Sequence, residues 1–108
     1  MFGFRKAING LTHDELAALV REGGVALVDV REPGEFAAGH IAEAVNHPLS
    51  TFDPASLPKD GRRVVLYCAA GGRSGTALGR CRGVRDDVDT HLVGGIGAWA
   101  RSNRAVAR

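Results

Sequence analysis

Cysteine is scarce in this chain, with two in 108 residues, and there is one methionine, one tryptophan and one tyrosine. Two thiols, Cys68 and Cys81, fall far below the density of a disulfide scaffold. They suit a reducing compartment, so a cytoplasmic location is the expectation. Long hydrophobic runs are missing too. No stretch approaches the ~20 apolar residues that a membrane span requires, and no apolar segment of signal-peptide length follows Arg5 and Lys6. No membrane partner is expected. There is also no excess of one charge: 14 Lys and Arg against 12 Asp and Glu leave a formal +2, too weak a field for a nucleic-acid-binding domain. The loose groups Arg80, Arg82, Arg85 and Arg101, Arg104, Arg108 read as solvated helix faces. His13, His47 and His91 show no metal-ligand spacing with the cysteines, so no metal site is expected.

What is present describes a folded chain. Hydrophobic residues make up 44% and charged residues 24%, close to the globular average and too apolar for disorder. The length suits a single domain over 1–108, with a core over about 8–101 and a frayed tail from 102 onward. After the lead-in Ile8 to Leu11, Thr12 and Glu15 form a capping box. Leu16, Leu19 and Val20 recur at helical spacing until Gly23 and Gly24 stop the pattern. Val25 to Val30 is an apolar run ending in charge, the signature of a strand buried on both faces. Pro33 starts a short helix through Ala38, closed by Gly39, and a brief strand follows at Ala44 to Asn46. Ser50 to Leu57 reads as another short helix. Arg63 to Cys68 is a second buried strand, followed by a helix from Ser74 to about Gly83, whose Gly75 and Gly79 call for compensating packing. Thr90 to Val93 is the last strand, and Gly94-Gly95 leads into a closing helix through Ala98, Trp99 and Ala100. This alternation predicts an α/β fold in which a mostly parallel sheet is flanked by helices on both faces.

The chemistry concentrates after the second long strand. Cys68 stands at a strand's carboxyl end, where open α/β sheets carry their reactive groups, and Ala69-Ala70-Gly71-Gly72-Arg73-Ser74 follows. A loop of such small residues turns successive backbone N–H groups inward as an anion-binding nest, and the next helix adds the positive end of its dipole. The same features stabilise a thiolate, making Cys68 a candidate nucleophile. Spacing alone leaves open the alternative of an inert core cysteine.

Together with two other motifs, the loop resembles the rhodanese-like sulfurtransferase family. The matching residues are Asp29-Val30-Arg31-Glu32 with Glu35-Phe36 and Gly39-His40-Ile41, Tyr67-Cys68 to Ser74, and Gly94-Gly95-Ile96-Gly97-Ala98-Trp99. The resemblance covers nearly the whole chain, in the family's order. It implies a five-stranded parallel α/β fold and a cysteine, here Cys68, that accepts a sulfane sulfur as a persulfide and hands it to a thiophilic acceptor. The implied partners are a small anionic sulfur donor such as thiosulfate or a low-molecular-weight persulfide, an acceptor such as cyanide or a thiol, or a protein in either role. Backbone N–H groups of residues 69–73 would stabilise the developing charge. Arg73 would hold the anionic donor through its planar fork, and Ser74 would cap the following helix or donate to sulfur. Asp29 and Arg31 would brace the scaffold near the loop.

The sequence departs from the family pattern in three respects, one of them a glycine-rich and slightly short helix after the loop. Ala69 replaces a residue that is often basic, and Glu43 stands where a small residue is usual. His40 is read as the maker of a fixed hydrogen bond, Trp99 as a core or pocket-edge residue, and Cys81 as a small core residue alongside Ala77, Leu78 and Val84. A resolving role for Cys81 would need its Cα within about 6 Å of that of Cys68. Three other functions compete. A phosphatase or arsenate reductase on this fold has its arginine six positions after the cysteine, where Ser74 stands here, and a shorter loop fits a tetrahedral phosphate poorly. A binding or regulatory module would have lost its cysteine. A persulfide carrier acting on a protein partner would use the same residues as the enzyme.

Overall fold

The computed structural model describes residues 9–108; Ile8 and the basic pair Arg5 and Lys6 lie outside them. The elements, in chain order, are β1 (Asn9–Leu11), α1 (His13–Glu22), β2 (Val25–Asp29), α2 (Pro33–Ala38), β3 (Val45–Asn46), β4 (Arg63–Tyr67), α3 (Gly72–Cys81), β5 (Thr90–Leu92) and α4 (Gly95–Arg101). The five strands form one sheet in the order β1-β5-β4-β2-β3, and every pairing is parallel. The apolar runs of β2 and β4 lie at its centre because both faces of each are covered. One face packs Val28, Val64, Leu66 and Cys68 against Ala77, Leu78 and Cys81 of α3. The other packs Leu27, Val65 and Tyr67 against Leu16 of α1 and Trp99 of α4.

Local chemistry accounts for the element ends. Thr12 Oγ1 accepts from the Glu15 N–H at 3.1 Å, and the Glu15 carboxylate accepts from the Thr12 N–H at 2.8 Å, which completes the capping box of α1. Residues 50–57 do not form one helix. They make two 3-10 turns, Leu49–Thr51 and Pro54–Ser56, because Pro54 lacks the N–H that a continuous helix would need and Asp53 caps a new turn through Ala55 N–H. β1 was not distinguished from a lead-in, since three residues at a sheet edge carry no readable alternation. Its pairing with β5 supplies the order that its sequence does not show.

The tail also differs from expectation. Its backbone is docked: Ala107 exchanges both backbone hydrogen bonds with His40, at 2.7 and 2.8 Å. The Trp99 indole donates to Ala105 O at 3.0 Å, and Arg108 Nε donates to Ala38 O at 3.0 Å. Arg104 lies over the Trp99 ring and pairs with Asp14. Polar termini fray when their backbone groups find only water, and here those groups find partners.

Two backbone details have consequences for stability. A β-carbon at Gly75 or Gly79 of α3 meets nothing within 4 Å, so no close packing compensates for these glycines. Gly79→Ala is expected to raise unfolding free energy by about 1 kcal/mol in urea denaturation. Glu43 occupies the left-handed region at φ 69, a conformation that costs a residue with a β-carbon about 1–2 kcal/mol. Glycine gives back about 0.4–1 kcal/mol through unfolded-chain entropy. Glu43→Gly is therefore expected to raise the urea midpoint slightly, whereas Glu43→Ala, which keeps the strained backbone, is not.

Candidate active site

The carboxyl ends of β2, β4 and β5 converge on one edge of the sheet, and the loop after β4 turns there around the sulfur of Cys68. Cys68 is 1% exposed. Its Sγ accepts from the Gly71 N–H at 3.1 Å and from the Ser74 N–H at 3.4 Å, and lies 3.6 Å from Ser74 Oγ. Burial pushes the thiol up, yet the N–H groups of Ser74, Gly71 and Ala70 and the Ser74 hydroxyl outweigh it, and the pKa falls below the ordinary cysteine value. Of the N–H groups expected to turn inward over residues 69–73, those of Ala70 and Gly71 face the sulfur, and that of Ser74 joins them from outside that range.

Glycine makes this wrapping possible. Gly71 takes φ 119 and is the residue from which α3 starts, so the helix begins two residues earlier than the sequence pattern suggests. Ser74 therefore lies inside the first turn of α3 and does not cap it. Its hydroxyl oxygen lies 3.1 Å from Gly71 O and 2.8 Å from His91 Nδ1. From behind, the Gly94-Gly95 turn seals the loop: Ile96 N–H donates to Cys68 O at 2.9 Å and Gly97 N–H donates to Ala69 O at 3.1 Å.

Asp29 and Arg31 pair with each other. The Arg31 guanidinium grips the fully buried Asp29 carboxylate through Nε and Nη2, the shortest contact being 2.8 Å, and Nη2 also donates to Gly39 O at 2.6 Å. Asn46 Nδ2 donates to Asp29 O and Arg31 O, at 2.9 and 2.8 Å, tying β3 to the same corner. His40 Nδ1 bonds Phe36 O at 2.8 Å and its ring stacks on Phe36 with centroids 3.8 Å apart, the fixed role read from its neighbours. Trp99 is 7% exposed and lies in the core. Cys81 is fully buried with Ala77 and Leu78, and burial pushes its thiol up to about 11. Val84 departs from that grouping, since it is 62% exposed.

Arg73 is engaged differently from the expectation. Its two terminal nitrogens donate to both carboxylate oxygens of Glu35 on α2, at 2.7 and 3.0 Å. Hydrogen bonding from Arg73 and from the Glu32 N–H holds the Glu35 carboxyl down at about 2. A group so depressed keeps its pairing wherever the pH exceeds that value, so the clamp persists from neutral well into acid solution. Glu35 was legible only as part of a motif, because its partner lies 38 residues away. His91 carried no signal beyond being a lone histidine in a strand. Among the described residues no group of three or more His, Cys, Asp or Glu side chains is placed to hold a metal ion.

Fold and site together define a class: an α/β domain presenting a hydrogen-bonded cysteine sulfur at the carboxyl end of a central strand. The family model described as Rhodanese-like domain matches residues 12–102, and the chain belongs to that family. It is 43% identical over 88 residues to an uncharacterized protein of Synechocystis, covering 81% of this chain but only 49% of that one. It is 40% identical over 79 residues to a protein of Allochromatium vinosum named sulfurtransferase, covering 71% of this chain and 73% of the relative. The crystal structure of a rhodanese-related protein from Thermoplasma volcanium superposes with a TM-score of 0.79 at 25% identity, covering 92% of this chain and 97% of the other. The sulfurtransferase names of the relatives support sulfur transfer at the level of the family.

The seal behind the loop can be tested directly. A β-carbon on Gly95 would fall 2.4 Å from Cys68 O and 2.5 Å from Ala69 C and O, at φ 60. Gly95→Ala is expected to cost about 3 kcal/mol in urea unfolding and to slow iodoacetamide labelling of Cys68. Gly34→Ala, where the new atom meets nothing within 4 Å, is the control that should do neither.

Proposed function

We propose that this domain is a sulfurtransferase whose Cys68 carries the transferred sulfur as a persulfide. The observation that carries this reading is the Cys68 sulfur at the end of β4, accepting the N–H groups of Gly71 and Ser74. The thiolate attacks the outer sulfur of the donor and a new S–S bond forms. The donor's own bond to that sulfur breaks, and the leaving group, sulfite in the case of thiosulfate, departs with the electron pair. A thiophilic acceptor, such as cyanide, a thiol or a protein thiolate, then attacks the terminal sulfur, and Cys68 leaves as the thiolate. Both steps are nucleophilic displacements that need neither metal nor organic cofactor. Backbone N–H groups that already face the sulfur stabilise its negative charge without reorganising.

The surroundings favour one donor class. Ala69 brings no charge to the loop, and the Arg73 guanidinium is bidentate on Glu35. A doubly charged donor such as thiosulfate thus meets less opposing charge than a basic loop would offer, and a low-molecular-weight persulfide suits the site better. Two reduced cysteines accord with a cytoplasmic setting.

Intact mass spectrometry after brief incubation with glutathione persulfide, and separately with thiosulfate, tests both points. One added sulfur on Cys68, absent in Cys68→Ser and removed by cyanide as thiocyanate, is the expected result, with faster loading from the persulfide. Failure of both donors to load the wild-type protein would overturn sulfur transfer.

A further inference from the structure

His91 lies in β5 opposite Leu66 of β4. Alternation along the strand puts its side chain on the face of Leu66, Cys68 and α3, while Leu92 joins the opposite core cluster and Thr90 meets Arg63. On its own face the imidazole reaches Ser74. Ser74 Oγ lies 2.8 Å from His91 Nδ1, 3.6 Å from Cys68 Sγ and 3.1 Å from Gly71 O, and Ser74 is fully buried. One hydroxyl hydrogen therefore has three neighbours that can accept it.

The allowed states follow from counting hydrogens. While Cys68 is a thiol, S–H donates to Ser74 Oγ, and the Ser74 hydrogen goes to Gly71 O or His91 Nδ1. Once Cys68 is a thiolate, the sulfur needs that hydrogen. The Ser74 oxygen can then accept from His91 only if Nδ1 carries a proton. In passing from the first state to the second, the thiol proton moves to Ser74 Oγ and the Ser74 proton moves to Nδ1. One proton has then crossed from sulfur to imidazole, with no change in oxidation state. The half-buried ring can afterwards return a proton to solvent and remain as the neutral Nδ1–H form.

Resting on the reading of Cys68 as the reactive sulfur, we propose that His91 is a positioning residue that directs the Ser74 hydroxyl hydrogen onto the Cys68 thiolate. Through Ser74 Oγ the imidazole reaches the ionisable Cys68 thiol, from the loop after β4, while the charged residues of α3, Arg73 and Arg80, are engaged by Glu35 and by Leu49 O. β1 brings Gly10 opposite the ring, and the ionisable residues of β4, Arg63 and Tyr67, lie on the other face of their strand. Burial holds the imidazole below its ordinary value, so near neutral pH it is uncharged and selects its partner through its tautomer.

A simple tether between β5 and α3 would affect stability and leave the sulfur's titration alone. The test is the pH profile of Cys68 alkylation by iodoacetamide, which requires no sulfur donor and so is independent of whether transfer occurs. His91→Leu is expected to move the profile upward, slowing alkylation several-fold near pH 6. His91→Asn should restore it, because the amide can donate in place of Nδ1–H. Ser74→Ala should move it as far as His91→Leu, with no further change in the double variant. An unmoved profile in folded His91→Leu, or additive shifts in the double variant, would overturn the proposal. Nitrogen-15 NMR of the unaltered protein's imidazole gives a second reading that requires no variant to fold. The Nδ1–H form should grow as Cys68 ionises, and a tautomer indifferent to that ionisation would also overturn it.

Discussion

A sulfur buried to 1% exposure can carry charge only if hydrogen-bond donors replace the water it has lost, and much of this molecule is arranged around that requirement. The donors are backbone N–H groups, which cannot be aimed by choosing a side chain. They are aimed by bending the chain, and the bend needs Gly71 in the left-handed region. A bent loop of small residues has few side-chain contacts of its own to stabilise it. Its stiffness is borrowed from the Gly94-Gly95 turn, whose following N–H groups grip Cys68 O and Ala69 O.

The rest of the site extends this arrangement outward. Asp29 and Arg31 form a buried pair held in place by further contacts: Gly39 O accepts from Arg31 Nη2, and Asn46 Nδ2 donates to the backbone carbonyls of both residues. Such a pair adds little net stability but strongly resists being broken, so it fixes the corner where β2, β3 and α2 meet. From that corner α2 projects Glu35 toward Arg73 on α3. The clamp joins α2 to α3, the helix that follows the sulfur loop. The docked tail closes the α2 side of the same region through His40 and Ala107.

The central strands, α1 with its capping box, α2 and the sulfur loop were legible because their signals are local: apolar runs, caps and glycine pairs within a few residues. β1 and the tail were not, since each gains its order from a partner far away in sequence. α3 was displaced by two residues because a serine is ordinarily read as a cap, whereas here a left-handed glycine starts the helix. Likewise, the glycines of α3 implied close packing, and the structure leaves open space beside Gly75 and Gly79.

By itself the sequence determined that a parallel α/β sheet would place Cys68 at the end of a buried strand, followed by a loop able to turn its N–H groups inward. Periodicity, small residues and glycine act over short distances, and these features need nothing more. Only the tertiary structure decided which side chains face that sulfur and its neighbours. Glu35 meets Arg73 across 38 positions and His91 meets Ser74 across 17, contacts made by the order of strands in the sheet. No local pattern encodes them, because a side chain's partner across the fold depends on where every intervening element has packed.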